Sequence, residues 1–305
     1  AQRGRAPRAL KFGVSDDTTG HRSHRDLARE RVDRVNERAG RNLPAAVGVA
    51  VGLIGYVIVT LLFFKAGFML LLAVGMVLGS IELHRVLRAQ AQMTSAVLPI
   101  CIGTVAMVAG SYLAHEGETL FTPTTVLIIA LGVTVLAALA WRLPGGSTGF
   151  VRDVAASMLT IAYIPLLGSF LALMVGTPNG GSRITTTILC VAASDTGGWL
   201  AGVLFGRHPL APRISPKKTW EGSIGSLLLS LAVGAVMAHQ VLRIPVGLGL
   251  VFGAAMVVFG TLGDLVESQL KRDLGIKDMS HFLPGHGGVL DRVDSLLFAA
   301  PVAWG

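Results

Sequence analysis

Long runs of apolar residues, separated by short polar segments, repeat along the 305-residue chain from residue 44 to its end. Each run approaches the roughly 20 residues that an α-helix needs to cross the apolar part of a bilayer. The pattern therefore predicts an all-α, polytopic integral membrane protein with about nine transmembrane helices. The predicted spans are residues 44–64, 66–82, 95–113, 123–141, 153–176, 184–205, 222–242, 244–263 and 291–305.

Composition supports this fold class, because 52% of the residues are hydrophobic and only 14% are charged. In soluble globular domains about a quarter of the residues carry a charge, so an ordinary soluble domain is excluded. The first 43 residues are the exception, since they hold 11 of the 26 Lys and Arg residues. We predict three regions: a flexible basic cytoplasmic tail (1–43), N-terminal transmembrane helices (44–183) and a C-terminal catalytic transmembrane region (184–305).

The distribution of basic residues predicts the orientation in the membrane. With the N-terminus in the cytoplasm, 23 of the 26 Lys and Arg residues fall in the tail and the cytoplasmic loops. Such an excess is typical of the cytoplasmic side of membrane proteins. The tail either sets this topology or also binds anionic lipid headgroups. The two most polar loops of the chain are both predicted to face the cytoplasm.

Asp195 is an acid near the middle of the sixth predicted span. A carboxyl group in that position is costly, so it is expected to face the protein interior and to have a partner. One interpretation is a packing hydrogen bond with Ser194 or Thr196. The other is a role in binding substrate or metal, or in orienting another group of the site. Gly197 and Gly198 would let a second helix or a ligand approach closely.

The loop after that span combines cations with hydroxyl groups. Lys217 and Lys218 stand between Ser215 and Thr219, an arrangement suited to phosphate oxygens. Thr219 is predicted to cap the next helix, with Glu221 in its first turn. The alternative is a plain cytoplasmic loop that only sets topology.

The most polar segment, residues 264–295, carries acids at helical spacing. If helical, each end of the segment places its polar groups on one face, and the turn at residues 284–288 brings the two faces together. Carboxylates and cations in this pattern predict a divalent metal with anionic phosphates, although a solvated amphipathic hairpin is the alternative. The groups are Asp264, Glu267, Ser268 and Lys271 at one end, and Asp291, Asp294 and Ser295 at the other. Glu82, at the end of the second span, is a secondary candidate.

The same segment resembles the signature of the phosphatidate cytidylyltransferases. The resemblance lies in SQLKRDLGIKDMSHFLPGHGGVLDRVD, residues 268–294, although the stretch 279–283 is slightly longer than in that signature. The loop SPKKTWEG, residues 215–222, and the Asp195-Thr196 pair resemble other patches of the family. Together they extend over roughly residues 190–295.

This resemblance implies that CTP and phosphatidic acid react to CDP-diacylglycerol and pyrophosphate. It implies Mg²⁺, alone or with a second metal or monovalent cation, and metal ligands among Asp264, Asp291 and Asp294. Asp195 and Glu267 are further candidates for completing or supporting the metal shell. Lys271 and Arg292 are expected to act in catalysis with Asp264 and Asp291. The expected substrate-binding residues are Asp195, Ser215, Lys217, Lys218, Thr219, Glu221, Ser268, Arg272, Lys277, His286, Gly287 and Gly288.

The resemblance further implies a homodimer in a bacterial-type inner membrane, with lipid as partner and without nucleic acid. The nearest rival is a CTP-dependent lipid kinase of the polyprenol kind, which would transfer the γ-phosphoryl group. A CDP-alcohol phosphotransferase would carry a different acidic motif. An ion-coupled transporter with Asp195 as its ion site is a further alternative, but transporters commonly contain repeats, and none is evident here.

Overall fold

The computed structural model describes residues 52, 55–117, 120–212, 214–280 and 287–305. The basic tail and His286 lie outside these residues, and so does the side chain of Lys217. Residues 55–63 are helical. The helices that follow are α1 (Lys65–Gln90), α2 (Val97–His115), α3 (Pro123–Arg142), α4 (Phe150–Ile161), α5 (Leu167–Gly176), α6 (Gly180–Phe205), α7 (Trp220–Met237), α8 (Val246–Asp273) and α9 (Leu290–Trp304).

Seven helical segments of the described residues are long and apolar enough to cross a membrane. Three of them extend a numbered helix through a short 3₁₀ or π segment: Pro123–Gly145, Phe150–Gly176 and Trp220–Leu242. They correspond to seven of the predicted spans. The predicted span 44–64 lies partly outside the described residues, and α9, with 15 residues, is shorter than the seven. The prediction of a mainly helical membrane protein is confirmed.

The all-α prediction needs one correction, because the polar loop before α7 contains a small antiparallel sheet. Strand β1 (Pro209–Ala211) pairs with β2 (Ser215–Thr219), with Ala211 opposite Ser215 and Pro209 opposite Thr219. The hairpin is too short to appear as an alternating pattern in the sequence. It places Lys217 and Lys218 on a strand that leads directly into α7.

The start of α7 is fixed by side-chain capping. Thr219 accepts a hydrogen bond from Gly222 N, which confirms its predicted role as N-cap. Glu221 accepts hydrogen bonds from the backbone N–H groups of Arg207 and His208 and contacts His208 Nδ1 at 2.6 Å. These contacts join the two ends of the hairpin to the first turn of α7.

The core joins helices from both halves of the chain. Leu83 of α1, Ile184 of α6, Met256 of α8 and Leu290 of α9 are buried in one apolar cluster with Ile164. Ile164 belongs to a π-helical turn, Ala162–Leu166, between α4 and α5. That turn contains Pro165, which lacks an N–H group and so interrupts the regular hydrogen bonding. Burial of this core holds α8 and α9 against α1 and α6.

Helices α6 and α7 pack at the glycine pair that follows Asp195. A side chain at Gly197 would clash with the backbone carbonyl of Gly225, and one at Gly198 would lie 2.5 Å from Ser226 Oγ. Ser226 also donates a hydrogen bond to the carbonyl oxygen of Ser194, at 2.7 Å. The expectation that this pair admits a close neighbour is confirmed, and the neighbour is helix α7.

Candidate active site

Three carboxyl groups from α8 and α9 form the centre of the site. Asp264 and Glu267 lie one turn apart on α8, and Asp294 of α9 faces them, with ligand oxygens all within 4.8 Å of one another. Glu267 is 1% exposed and Asp294 is 9% exposed. We call these residues the three-acid cluster. The predicted meeting of two carboxylate faces is therefore present in the structure.

The cluster has the properties of a cation site. Oε1 of Glu267 is buried and, among the described residues, has no hydrogen-bond partner. Three neighbouring carboxyl groups repel one another when ionised, and burial makes this repulsion stronger. Hard divalent cations such as Mg²⁺ prefer carboxylate oxygens. The donor set therefore fits such an ion.

Lys271 connects the cluster to the first turn of α9. Its ammonium group lies 2.5 Å from Glu267 Oε2 and 2.9 Å from Asp291 Oδ1. The Lys271 side chain is 17% exposed, and those of Glu267 and Asp291 are 1% and 4% exposed. The cation thus compensates two buried carboxylates in the resting structure, a role that the sequence did not suggest.

Asp291 lies beside the three-acid cluster. Its Oδ1 contacts Lys271, and its Oδ2 accepts hydrogen bonds from Gly288 N at 2.8 Å and Met279 N at 3.0 Å. The resemblance implies Asp264, Asp291 and Asp294 as metal ligands, with Glu267 as a further candidate for the shell. In the structure Asp264 and Asp294 lie with Glu267, and Asp291 is joined to this group through Lys271.

A polar cleft of about 320 Å³ opens next to the cluster. Lys218 of β2 reaches into it and forms an ion pair with Asp264, with 2.5 Å between Nζ and Oδ2. We call this cleft the α6–α8 cleft. Its lining residues are Ser194, Asp195, Gly198, Trp199, Ser215, Lys218, Thr219, Gly222, Ser223, Ser226, Thr261 and Asp264.

Asp195 faces this cleft. Thr196 donates its hydroxyl hydrogen bond to the carbonyl oxygen of Ala192. Among the described residues, no hydrogen bond joins Asp195 to Ser194 or Thr196, so the simple packing interpretation has no support. The carboxylate of Asp195 interacts electrostatically with Asp264 and Asp294, which repel it, and with Lys218, which attracts it.

The remaining predicted residues take several positions. Ser215 and Thr219 line the cleft, and Ser268 Oγ lies 3.4 Å from Asp264 Oδ1. The carboxylate of Glu221 is engaged at the base of the hairpin. Gly288 contributes its N–H to Asp291, and Gly287 precedes it. Arg272, Lys277 and Arg292 are exposed and do not line the cleft.

One residue near the acids, Glu82, was only a secondary candidate in the sequence analysis, and another, Tyr163, was missed. Glu82 of α1 is 4% exposed and accepts hydrogen bonds from the backbone at the start of α9. In the sequence, Glu82 was distinguished only as an acid between apolar residues.

Tyr163, in the π-helical turn, has a buried hydroxyl without a partner among the described residues. Its electrostatic neighbours are the three-acid cluster and Asp291. Nothing in the sequence pattern distinguishes this tyrosine.

Comparison with known proteins gives consistent results. The model of the cytidylyltransferase family matches residues 44–305. A phosphatidate cytidylyltransferase of Mycobacterium leprae is 38% identical over 283 residues, which cover 88% of each chain. One of Mycobacterium bovis is 37% identical over 282 residues, 88% of this chain and 89% of the relative. One of Staphylococcus saprophyticus is 43% identical over 151 residues, 49% of this chain and 57% of the relative.

Proposed function

The chain belongs to the cytidylyltransferase family, and we propose that it is the membrane enzyme that makes CDP-diacylglycerol and pyrophosphate from CTP and phosphatidic acid. The structural observation that carries this proposal is the three-acid cluster beside the α6–α8 cleft with Lys218. Hard oxygen donors and a cation at the wall of one cleft suit a reaction between two anionic phosphates. The similar proteins from Mycobacterium leprae, Mycobacterium bovis and Staphylococcus saprophyticus are phosphatidate cytidylyltransferases.

The reaction requires no amino-acid nucleophile. The phosphate monoester of the lipid has a second pKa of about 6, so it is largely in its doubly ionised form at neutral pH. One of its oxygens forms the new bond to the α-phosphorus of CTP, and the bond from that phosphorus to the β-phosphate bridging oxygen breaks. The electron pair leaves with pyrophosphate. The task of the protein is to position the reactants and to compensate their charge.

Asp264, Glu267 and Asp294 would hold Mg²⁺, with Asp291 as the adjacent acid whose Oδ1 now contacts Lys271. When bound, the metal would reduce the repulsion between the substrates and stabilise charge on the leaving group. Glu267 Oε1 supports this assignment, because it is a buried acceptor without a partner among the described residues. A second cation would lie near Asp195, which lines the cleft together with Asp264.

The cleft would bind the phosphates of the nucleotide. Lys218 is held by Asp264 in the resting structure, and its ammonium group is placed to bind a phosphate oxygen when Asp264 takes the metal. The hydroxyl groups of Ser215 and Thr219 lie in the same cleft and would donate hydrogen bonds. Lys217, on the same strand, belongs to this proposal by sequence, together with the exposed cations Arg272, Lys277 and Arg292.

The lipid substrate explains why the site belongs to a membrane protein. We place the acyl chains in the bilayer and the headgroup at the site, with the N-terminus and the polar loops in the cytoplasm, where CTP is available. The count of basic residues supports this orientation. A bacterial-type inner membrane, about nine spans and a homodimer complete the proposal.

The deciding experiment measures pyrophosphate release by the purified protein in detergent with CTP, phosphatidic acid and Mg²⁺, each omitted in turn. We expect release only when all three are present, together with a CDP-linked lipid. Formation of CDP and a phosphorylated lipid alcohol would instead indicate a lipid kinase. A folded protein without any turnover across lipids and metals would contradict the enzyme assignment.

A further inference from the structure

We propose that Glu82 is a positioning residue, which fixes the start of α9 and thereby the distance between the acids of α8 and α9. The inference rests on the proposed function for its catalytic consequence. Its structural basis is independent of the reaction. The carboxylate of Glu82 comes from α1, in the half of the chain that carries none of the acids of the site.

Both carboxylate oxygens of Glu82 accept hydrogen bonds from the backbone at the start of α9, and one of them also accepts a hydrogen bond from the Ser280 hydroxyl. Oε1 accepts hydrogen bonds from Ser280 Oγ at 2.5 Å and Val289 N at 3.0 Å, and Oε2 accepts one from Leu290 N at 3.0 Å. Helix α9 has no side-chain cap of its own at Val289. Because the first N–H groups of a helix have no partner within the helix, Glu82 supplies the cap from another helix.

This cap is coupled to the acids. Asp291 accepts the N–H of Gly288 at 2.8 Å, so Glu82 and Asp291 bind adjacent amides of the same turn. A side chain at Gly288 would lie 2.8 Å from Glu82 Oε2 and 3.0 Å from Asp291 Oδ2. The two carboxylates therefore hold one close-packed turn between them. Movement of that turn would displace Asp291, and Asp294 one helical turn further on.

Burial makes the arrangement specific for a carboxylate. Glu82 is 4% exposed, and a buried acceptor that loses its donors is costly. Gln at this position keeps one acceptor oxygen but places an NH₂ donor against backbone N–H groups or the Ser280 hydroxyl. Glu82→Gln therefore removes one of the two acceptor oxygens of the cap with almost no change in side-chain volume.

Asp153 offers a matched control. It is also a buried acid, 6% exposed, and it accepts hydrogen bonds from the backbone Thr94 N at 2.8 Å and from Arg142 Nε at 2.7 Å. It lies in the first turn of α4, and its partners lie just before α2 and at the end of α3; none of these three residues belongs to the site. Asp153→Asn thus disrupts a comparable buried carboxylate without touching the start of α9.

The first measurement is hydrogen–deuterium exchange of the purified full chain. In Glu82→Gln we expect the amides of Val289 and Leu290 to exchange about tenfold faster than in the parent, because the side chain that accepts their hydrogen bonds loses one of its two acceptor oxygens. In Asp153→Asn these amides should exchange at the parent rate. Unchanged exchange at both Val289 and Leu290 in Glu82→Gln overturns the proposal, and this result does not depend on which reaction the enzyme catalyses.

The second measurement separates positioning from general stability. In Glu82→Gln we expect kcat to fall about 10–100-fold, and the Mg²⁺ concentration for half-maximal rate to rise, as when groups that orient metal ligands are removed. The KM for CTP should stay near that of the parent. The rise in thermal unfolding midpoint on adding Mg²⁺ should also shrink, a readout that needs no turnover.

Equal losses of kcat in Glu82→Gln and Asp153→Asn, with unchanged Mg²⁺ dependence in both, would show a merely structural role and overturn the proposal. If Glu82→Gln does not fold, the variant Ser280→Ala tests the proposal, because it removes one hydrogen-bond donor to Glu82 and keeps the Glu82 carboxylate. We then expect a smaller shift in the same Mg²⁺ dependence, and a Mg²⁺ dependence equal to that of the parent would overturn the proposal.

Discussion

The Nζ of Lys218 lies 2.5 Å from Oδ2 of Asp264, so strand β2 and helix α8 meet through an ion pair at the wall of the cleft. The two side chains are 25% and 36% exposed, respectively. An ion pair accessible to solvent contributes little to stability, because water screens it. Its importance therefore lies in function: it keeps a cation next to an acid that we assign to the metal.

Replacing Lys218 by Met should weaken the binding of CTP. We expect the KM for CTP to rise about tenfold or more, since a hydrogen bond between charged groups contributes about 1.5–3 kcal/mol. The thermal unfolding midpoint should change little, because the ion pair is partly exposed. Lys65→Met is the matched control, as Lys65 at the start of α1 is exposed, does not line the cleft and has no part in the proposed site. An equal rise in KM in both variants would place the nucleotide elsewhere.

Asp264→Asn should remove nearly all activity without unfolding the protein. Asn is a neutral, weaker ligand for a hard cation, and we expect a loss of at least about 100-fold, the upper range for groups that only support the ligands. Pyrophosphate release and the Mg²⁺-dependent rise in unfolding midpoint both report the effect. Asp273→Asn, at an exposed acid of the same helix, should behave like the parent. Normal turnover by Asp264→Asn would contradict the metal assignment.

The sequence predicted the elements of this site better than their contacts. Helical spacing placed Asp264 and Glu267 on one face, and the structure confirms that this face meets Asp294. Apolar runs gave the membrane-spanning helices, because a bilayer imposes a minimum length on them. These features depend on local pattern, and a single sequence contains that information.

Contacts between distant segments were not predictable in the same way. Glu82 binds the backbone 207 and 208 positions further along the chain. Every residue other than proline has a backbone N–H group, so no residue type indicated that this acid would pair with the start of α9. The hairpin of β1 and β2 was missed because strands of three and five residues are too short for a periodic signal. Lys271 was expected to act in catalysis, but its ion pairs with Glu267 and Asp291 were not predicted, because the residue type shows the charge and not the partner.

Lys271→Met should destabilise the protein as well as inactivate it. It leaves Glu267 and Asp291 without their common cation, and removing one partner of a buried ion pair costs about 3–5 kcal/mol. We expect a clear fall in the thermal unfolding midpoint, partly reversed by Mg²⁺, because a bound cation restores positive charge near Glu267. Lys271→Arg keeps the charge, so its unfolding midpoint should lie between those of the parent and Lys271→Met. An unfolding midpoint equal to that of the parent would show that phosphate binding is the main role of Lys271.

The close approach of α8 and α9 depends on Gly263. A side chain at this position would lie 2.5 Å from the carbonyl oxygen of Asp294 and 3.1 Å from Phe298 Cβ. Backbone atoms of a packed helix cannot move aside easily, so Gly263→Ala should push α9 away from α8. The oxygens of Asp264, Glu267 and Asp294 would then be separated, and overpacking itself costs about 1–3 kcal/mol.

Gly260 provides the control, one turn earlier on the same helix. A side chain there meets only Ser295 Cβ at 3.8 Å, an ordinary contact. Gly260→Ala should therefore retain the parent's activity and Mg²⁺ dependence, and it gains helix propensity. In Gly263→Ala we expect a lower unfolding midpoint and a higher Mg²⁺ requirement for pyrophosphate release. If both variants keep the parent's Mg²⁺ requirement, the spacing between α8 and α9 does not set the geometry of the acids.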